Sequence, residues 1–329
     1  MKKTAIILAM AGLLTACGGG GGGSASAPTA TATLNGANQT TVAQDTAASS
    51  FMPMQGAQMV AGAAITDESV VFALAREQMG KLSDYMAQAK ANSMMGGAVA
   101  STTVTCPTSG SLTVSVTDAD GSGTVSAGDS LNISFNSCVV PSGSLTGTLD
   151  FAVNSLSATS ATNYTMGMTL TFGAFTVNAP QFTASANGSL SINLTKTATY
   201  AWTETVSSPS LTVSGTYMGV TRTRTLANYS ATATRVPDAT YTYTTSYILS
   251  GAVTSTALNN QTFLFATNTA FVKHGIEYYP GMGQMVITGA NSSKLRVTAI
   301  SNTQATLELD ATGSGTYGAP TTVNWSDLI

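Results

Sequence analysis

Residues 166–172 read Met166-Gly167-Met168-Thr169-Leu170-Thr171-Phe172. Large apolar side chains fall on every second residue, with glycine or threonine between them. A period of two puts all the large side chains on one face of a β-strand and the small or hydroxylic ones on the other. Upstream, Leu149/Phe151/Val153, Leu131/Ile133/Phe135 and Leu112/Val114/Val116 repeat the pattern, and downstream Leu190/Ile192/Leu194, Leu211/Val213 and Tyr241/Tyr243 do so again. Phe263/Phe265, Met285/Ile287, Leu295/Val297 and Leu307/Leu309 continue it toward the C-terminus. Gly, Asn, Pro and Ser punctuate these runs, as turns require. Some 12–16 antiparallel strands are expected over residues 100–329, apolar on one face and polar on the other. A sheet that large curls, closes or splits. The expected fold is therefore mainly β: a large antiparallel, strongly curved sheet, barrel-like or sandwich, preceded by one amphipathic helix.

Composition supports this reading. Charged residues are only 8% of the 329, while Ser and Thr together number 91. Hydroxyls rather than charges must keep the surface wet, and Thr and Val suit a pleated strand. With 12 basic residues against 15 acids, and Lys2 and Lys3 in a segment expected to be removed, the mature chain carries about −5. No run of Lys or Arg suggests a nucleic-acid partner.

The expected helix lies in Thr66–Asn92, within a helical segment spanning 51–99. Phe72, Ala75, Met79, Leu82, Met86 and Ala89 recur at spacings of three and four, one apolar stripe that would pack on the following sheet. Residues 17–50, with six consecutive glycines at Gly18–Gly23 and then Ser, Ala, Pro and Thr, read as a flexible tether.

The first 16 residues read as an address. Lys2 and Lys3 precede the apolar Ala5–Leu13, too short for a permanent membrane helix. The segment ends Leu14-Thr15-Ala16-Cys17. This resembles the lipobox of bacterial lipoproteins, which implies diacylation of the Cys17 thiol, cleavage before it and acylation of the new amine. Gly at position 18 implies sorting to the outer membrane rather than retention inside. More than one acyl chain makes a stable anchor.

One stretch carries metal chemistry. Residues 118–129, Asp118-Ala-Asp120-Gly-Ser122-Gly-Thr124-Val-Ser126-Ala-Gly-Asp129, resemble a twelve-residue EF-hand-type calcium loop, with the terminal Asp of dockerin-type loops. The resemblance implies side-chain ligands from Asp118, Asp120, Ser122 and Asp129, the Thr124 carbonyl, and Ser126 through a water. The flanks read as strands, so the likeness covers the loop and not a helix–loop–helix domain. No basic residue stands between Lys90 and Lys196, which leaves three carboxylates without a local cation. A solvated Asp/Gly turn without metal is the plainer alternative. A similar stretch, Asp310–Thr316, lacks carboxylates at its third and twelfth positions. Cys106 and Cys138 bracket the first loop, and a hairpin centred near Gly123 in an oxidising compartment would join them as a disulfide.

Other signals carry less. His274 is the sole histidine and no G-x-S-x-G elbow accompanies it, which argues against a serine-hydrolase triad. The methionines read as core rather than copper ligands. Tyr241, Tyr243 and Tyr247 line a groove or cover a sheet face. The Gly-rich tether, the Asp/Gly loop and the following Phe135-Asn136-Ser137-Cys138 strand together resemble a broad group of bacterial lipoproteins of uncharacterised activity. The expected function is a lipid-anchored envelope protein at the outer membrane. It would be a non-catalytic binding or structural module stabilised by Ca²⁺ and a disulfide, with an envelope protein or glycan as its kind of partner. A carrier of lipid or another apolar envelope component, and a hydrolase, are the alternatives.

Overall fold

The structure, a computed structural model, describes residues 27–58, 70–80, 82, 84, 99–141, 143–217 and 219–329. Fourteen strands form one antiparallel sheet whose spatial order is the order of the chain. They are β1 (Val99–Thr105), β2 (Ser109–Thr117), β3 (Ser130–Val140), β4 (Gly143–Ser160), β5 (Asn163–Asn178), β6 (Phe182–Ala198) and β7 (Ala201–Tyr217). Then come β8 (Val220–Asp238), β9 (Thr242–Ser255), β10 (Gln261–His274), β11 (Met282–Thr288), β12 (Lys294–Ala299), β13 (Gln304–Asp310) and β14 (Thr321–Asn324). β1 and β14 remain the two edges, so the sheet is open.

The two-residue period sets the two faces. Leu149, Phe151 and Val153 of β4, and Met168, Leu170 and Phe172 of β5, are buried with their equivalents on the other strands in one core. The opposite face carries hydroxyls that pair across strands, such as Thr212 with Thr225 at 3.0 Å and Thr254 with Thr262 at 2.8 Å. These cross-strand pairs are how a sheet with few charges holds its wet face together.

A line of β-bulges creases the sheet. Register slips occur between Phe135 and Cys138, Thr146 and Thr148, Phe172 and Phe175, Gly188 and Ser191, and Ala227 and Ser230. Ser137, Ala174 and Asn228 take positive φ at these slips, as does Gly147. A Cβ on Gly147 would come within 2.4 Å of the Ala174 carbonyl oxygen, so only glycine fits there. Each bulge bends its strand and adds twist, and bulges on neighbouring strands add their bends into a fold-over. At the other end of the sheet, Phe271 on β10 reaches Trp325, which follows β14, with ring centroids 6.0 Å apart. In a flat sheet, four strand spacings of about 4.8 Å would separate those strands.

The fold-over encloses a helix, and here one expectation is corrected. The second half of the expected tether is structured: Thr31 and Ala32 donate backbone hydrogen bonds to Thr262, and α1 (Gln39–Gln58) follows. Asn35 starts the helix by accepting from the N–H groups of Ala37 and Asn38 at 2.9 and 3.2 Å. Val42, Ala43, Ala47, Phe51, Met52 and Met54 are all buried. The curled sheet supplies the apolar surroundings that a free Ala/Ser/Thr segment lacks. Within the sheet, α1 packs chiefly on β8 and β9, with β7, β12 and β13 beside them. Among the described residues, two helices thus precede the sheet. The second, α2 (Val70–Gly80), lies inside the expected Thr66–Asn92 helix and packs on β5 and β6, with Phe72 edge-on to Phe172 at 5.4 Å. Met86 and Ala89 lie outside the described residues.

A buried polar link locks α1 in place. The Arg224 Nε donates to Asp45 Oδ1 at 2.7 Å, and the Ser255 hydroxyl donates to Asp45 Oδ2. Asp45 is 0% and Arg224 8% exposed by side chain. Tyr229 Oη donates to the Ser50 carbonyl at 2.7 Å. Gln44 Nε2 donates to the Asp327 carbonyl at 2.8 Å, joining the helix to the end of the chain. Among the described residues, no helix is long and apolar enough to cross a membrane.

Candidate metal centre

The 118–129 loop joins β2 to β3, two strands paired from Ser111↔Asn136 to Thr117↔Ser130. The hairpin brings both ends of the loop together, and its own residues close it. Asp118, at the end of β2, accepts from the Ser122 N–H at 3.1 Å and the Gly123 N–H at 2.7 Å. Asp129 accepts from the Ala119 N–H at 2.9 Å and from the backbone N–H and hydroxyl of Ser126. Gly121, Gly123 and Gly128 all take positive φ, which allows these tight returns. Val125, the apolar eighth position, packs against the core.

The result is a convergence of carboxylates. Oxygen atoms of Asp118, Asp120 and Asp129 lie within 4.8 Å of one another. Asp118 and Asp129 are buried and Asp120 is exposed at the mouth. A calcium ion holds its oxygens at about 2.3–2.6 Å, so oxygens sharing one ion stand no more than about 5 Å apart. The spacing fits that shell. A carboxylate has roughly four lone-pair sites, so the backbone bonds to Asp118 and Asp129 leave capacity for an ion. The backbone N–H of Ser122, then its hydroxyl, hold the Asp120 carboxyl down at about 2, despite a small opposing effect of burial. This carboxylate is therefore charged throughout the neutral range.

The other expected ligands lie in the same loop with different partners. The Ser122 hydroxyl sits 3.0 Å from the Thr124 carbonyl oxygen and 2.9 Å from its Oγ1. The Ser126 hydroxyl turns to Asp129 at 3.0 Å. Asp150, the next acid along the chain, pairs with Asn132 instead. Cys17 lies outside the described residues.

Cys106 and Cys138 form a disulfide, with Cα atoms 5.4 Å apart and a sequence separation of 32. It ties the turn after β1 to β3, beside the loop-bearing hairpin. The Asp310–Thr316 stretch forms the same turn without the second and third carboxylates. Buried Asp310 accepts from the Ser314 N–H at 3.0 Å and the Gly315 N–H at 2.7 Å, as Asp118 does from Ser122 and Gly123. Burial tends to raise the Asp310 carboxyl, and the N–H groups of Gly315, Ser314 and Gly313 overcome it and lower the net value. The shared Asp-Ala-x-Gly-Ser-Gly-Thr sequence is thus first a turn-closing device, and only the 118–129 copy adds convergent charge.

Two polar assemblies escaped the sequence reading. One is the Asp45–Arg224–Ser255 link. The other is a row of cations and aromatic rings at one end of the sheet, built from Lys196, Trp202, Arg235 and Lys273. Each member sits at an inward position of its strand's two-residue period, so the period alone gives its face. Only the strand register brings the members side by side. Of the three tyrosines noted from sequence, Tyr247 is core, Tyr243 stacks on Tyr200 at 5.6 Å, and Tyr241 is exposed over the His274 ring at 4.4 Å. Comparison of the chain with protein-family models, curated proteins and solved structures finds no match.

Proposed function

We propose that the protein is a lipid-anchored cell-envelope protein, held at the outer membrane through Cys17. Its β domain acts as a non-catalytic binding or structural module, stiffened at its first strands by Ca²⁺ and the disulfide. The observation that carries the calcium reading is the convergence of Asp118, Asp120 and Asp129 within 4.8 Å, in a stretch with no Lys or Arg from 91 to 195. A bound divalent ion would supply positive charge to three carboxylates that otherwise repel one another. The loop's residues do the rest: Gly121, Gly123 and Gly128 allow the turns, and the N–H groups of Ser122, Gly123 and Ala119 fix the carboxylates. The lipobox-like Leu14–Cys17 supports the anchor.

The position of the loop gives it a purpose. The described parts of the helices pack chiefly on β5–β9 and β12–β13 rather than on the first three strands. Those strands are held by pairing, by the disulfide and by the loop. An apolar cargo would need the concave face, where α1 is packed, and this favours the module over the carrier.

The test is thermal unfolding of the wild type and the Asp118→Ala/Asp120→Ala variant, each in Ca²⁺ and in EDTA. Three carboxylates and a terminal Asp fit the weak extracellular class, with Kd on the order of 10⁻⁴–10⁻³ M. At about 100 Kd the wild type should gain roughly 2.7 kcal/mol, and the variant nothing. Equal melting of the wild type in both buffers, with no heat on titration, refutes calcium binding. The anchor stands or falls separately, on Cys17.

A further inference from the structure

In a chain with so few charges, one end of the sheet gathers an unusual row. Tyr164 pairs with Lys196, Lys196 with Trp202, Trp202 with Arg235, Arg235 with Thr245, and Thr245 with Lys273, across β5 to β10. Residues directly opposite on antiparallel strands share a face. This is the concave face, because each continues the buried alternation of its strand: Ile192 and Leu194 lead to Lys196, Ala231 and Ala233 to Arg235, and Phe271 to Lys273.

The rings hold the cations in place. The Arg235 guanidinium carbon lies 4.0 Å from the Tyr243 ring centre and 4.9 Å from that of Trp202. The Lys196 ammonium lies 5.7 Å from the Tyr164 ring centre. Arg235 Nε donates to Thr245 Oγ1 at 3.1 Å, which orients the fork and leaves its terminal NH₂ groups for another acceptor. The ion pairs Arg224–Asp45 and Arg296–Glu308 lie away from this row. Glu277 accepts from the His274 N–H and from Asn302, and Glu204 lies one pleat deeper, opposite Ala233. Arg235 and Lys273 stand two strands apart, about 10 Å at the backbone, with only the small, buried Thr245 between them. Both long side chains can therefore reach one point above it. The shortage of counter-charge is visible on Lys273. Burial, then the neighbouring Arg235, pull its ammonium down to about 8, and only Glu277 opposes them.

The geometry points to a binding site for a phosphate ester, clasped by Arg235 and Lys273 over Thr245, with Lys196 farther along the row. A phosphomonoester carries about −1.5 to −2 charges, which two cations match better than they match a single carboxylate. The guanidinium fork suits two phosphate oxygens at once. The exposed rings of Tyr200 and Tyr241 beside the row offer apolar surface to the rest of the ester. This site depends on neither the anchor nor the calcium loop. The same phosphate chemistry is offered by a soluble ester, a lipid headgroup or the free ion.

The experiment titrates the full chain, in calcium-free buffer, with inorganic phosphate, glycerol 3-phosphate and dihexanoyl phosphatidic acid, whose headgroup is also a phosphomonoester, below its micelle threshold. Saturable one-to-one binding is expected for at least one probe. Arg235→Gln and Lys273→Gln should each weaken it at least ten-fold. Arg296→Gln, which removes an arginine paired with Glu308 on β12 and β13, should leave it unchanged. Lys273→Gln removes none of the ring-stacked cations and keeps the test decisive if Arg235→Gln does not fold, as judged by circular dichroism. Ten-fold tighter binding of the lipid assigns a headgroup, preference for glycerol 3-phosphate a soluble ester, and equal binding of all three the free ion. Each of these supports the site. Absence of binding by wild type to every probe, or equal binding by wild type and the Lys273→Gln variant, overturns it.

Discussion

Asp45→Ala should cost the protein more stability than any other single charge removal. Asp45 sits in the middle of α1 with no exposed side-chain area, and both its oxygens are used, one by Arg224 and one by Ser255. Removing it takes the paired carboxylate from the largely buried Arg224 guanidinium and the acceptor from the Ser255 hydroxyl. Breaking one side of a buried ion pair costs about 3–5 kcal/mol. Unfolding entropy of about 2.1 cal/mol/K per residue gives on the order of 0.6 kcal/mol/K for a chain near 300 residues. The melting temperature should then fall by about 5–8 °C. A double-mutant cycle with Arg224→Met separates the pair from the packing around it. The double variant should recover most of the loss, because replacing a buried pair by apolar groups is often neutral or stabilising. Chemical denaturation of the four proteins reads the coupling energy. A coupling below about 0.5 kcal/mol, or an Asp45→Ala loss under 1 kcal/mol, would refute the view that this link fastens α1 to the sheet.

Reducing the Cys106–Cys138 bridge should lower stability by about 3–4 kcal/mol on the chain-entropy model for a loop of this size, read as the difference in denaturant midpoints with and without reductant. The Asp120 carboxyl should titrate at about 2, measured by carboxylate carbon shifts, and Ser122→Ala, which removes the hydroxyl but keeps the backbone N–H that contributes most, should raise the midpoint only part of the way toward 3.8. Because its folded value is depressed, the stability it contributes is complete above about pH 4 and disappears as pH falls through 2. Cys17→Ser should leave an uncleaved precursor that takes up no fatty-acid label, and labelling equal to wild type would remove the lipid anchor.

The strands were legible because each is exposed on one face and buried on the other. Leu131/Ile133/Phe135 alternates in sequence and alternates again in burial. The disulfide was legible because a hairpin about Gly123 leaves its two cysteines little choice. α1 was not legible, and the reason is its setting. Helix prediction relies on one wet face and one dry face. A helix wrapped by a curled sheet has almost no wet face, so Val42, Ala43, Asp45, Thr46, Ala47, Ser49 and Ser50 are all buried without any stripe. Its small residues, chosen to fit inside the curl, give it the composition of a linker. Pro53 within the helix added to the disguise. The bulges were invisible for a different reason. At Ser137, Ala174 and Asn228 the crease is imposed by pairing with neighbours, and none of the three is a glycine. The cationic row was hidden because Lys196, Arg235 and Lys273 are nearly forty residues apart and meet only through register.

The order of the strands fixes the order in which the chain can be finished. Each strand meets its neighbour as soon as the next segment is made, so the sheet can grow by adding hairpins. α1 has no such luck, because Arg224 lies 179 residues after its partner Asp45, and Asp327 lies 283 residues after Gln44. That last contact cannot form until the final residues of the chain are present where it folds. Until then the segment that will fill the centre of the molecule has nothing to fill. A chain cut short before its last strands would have most of its hairpins paired and its central helix uncovered. Completion of the last strands is therefore the step that turns a growing ribbon into a sealed molecule, and a C-terminal deletion should behave as a folding defect long before it removes any surface a partner could read.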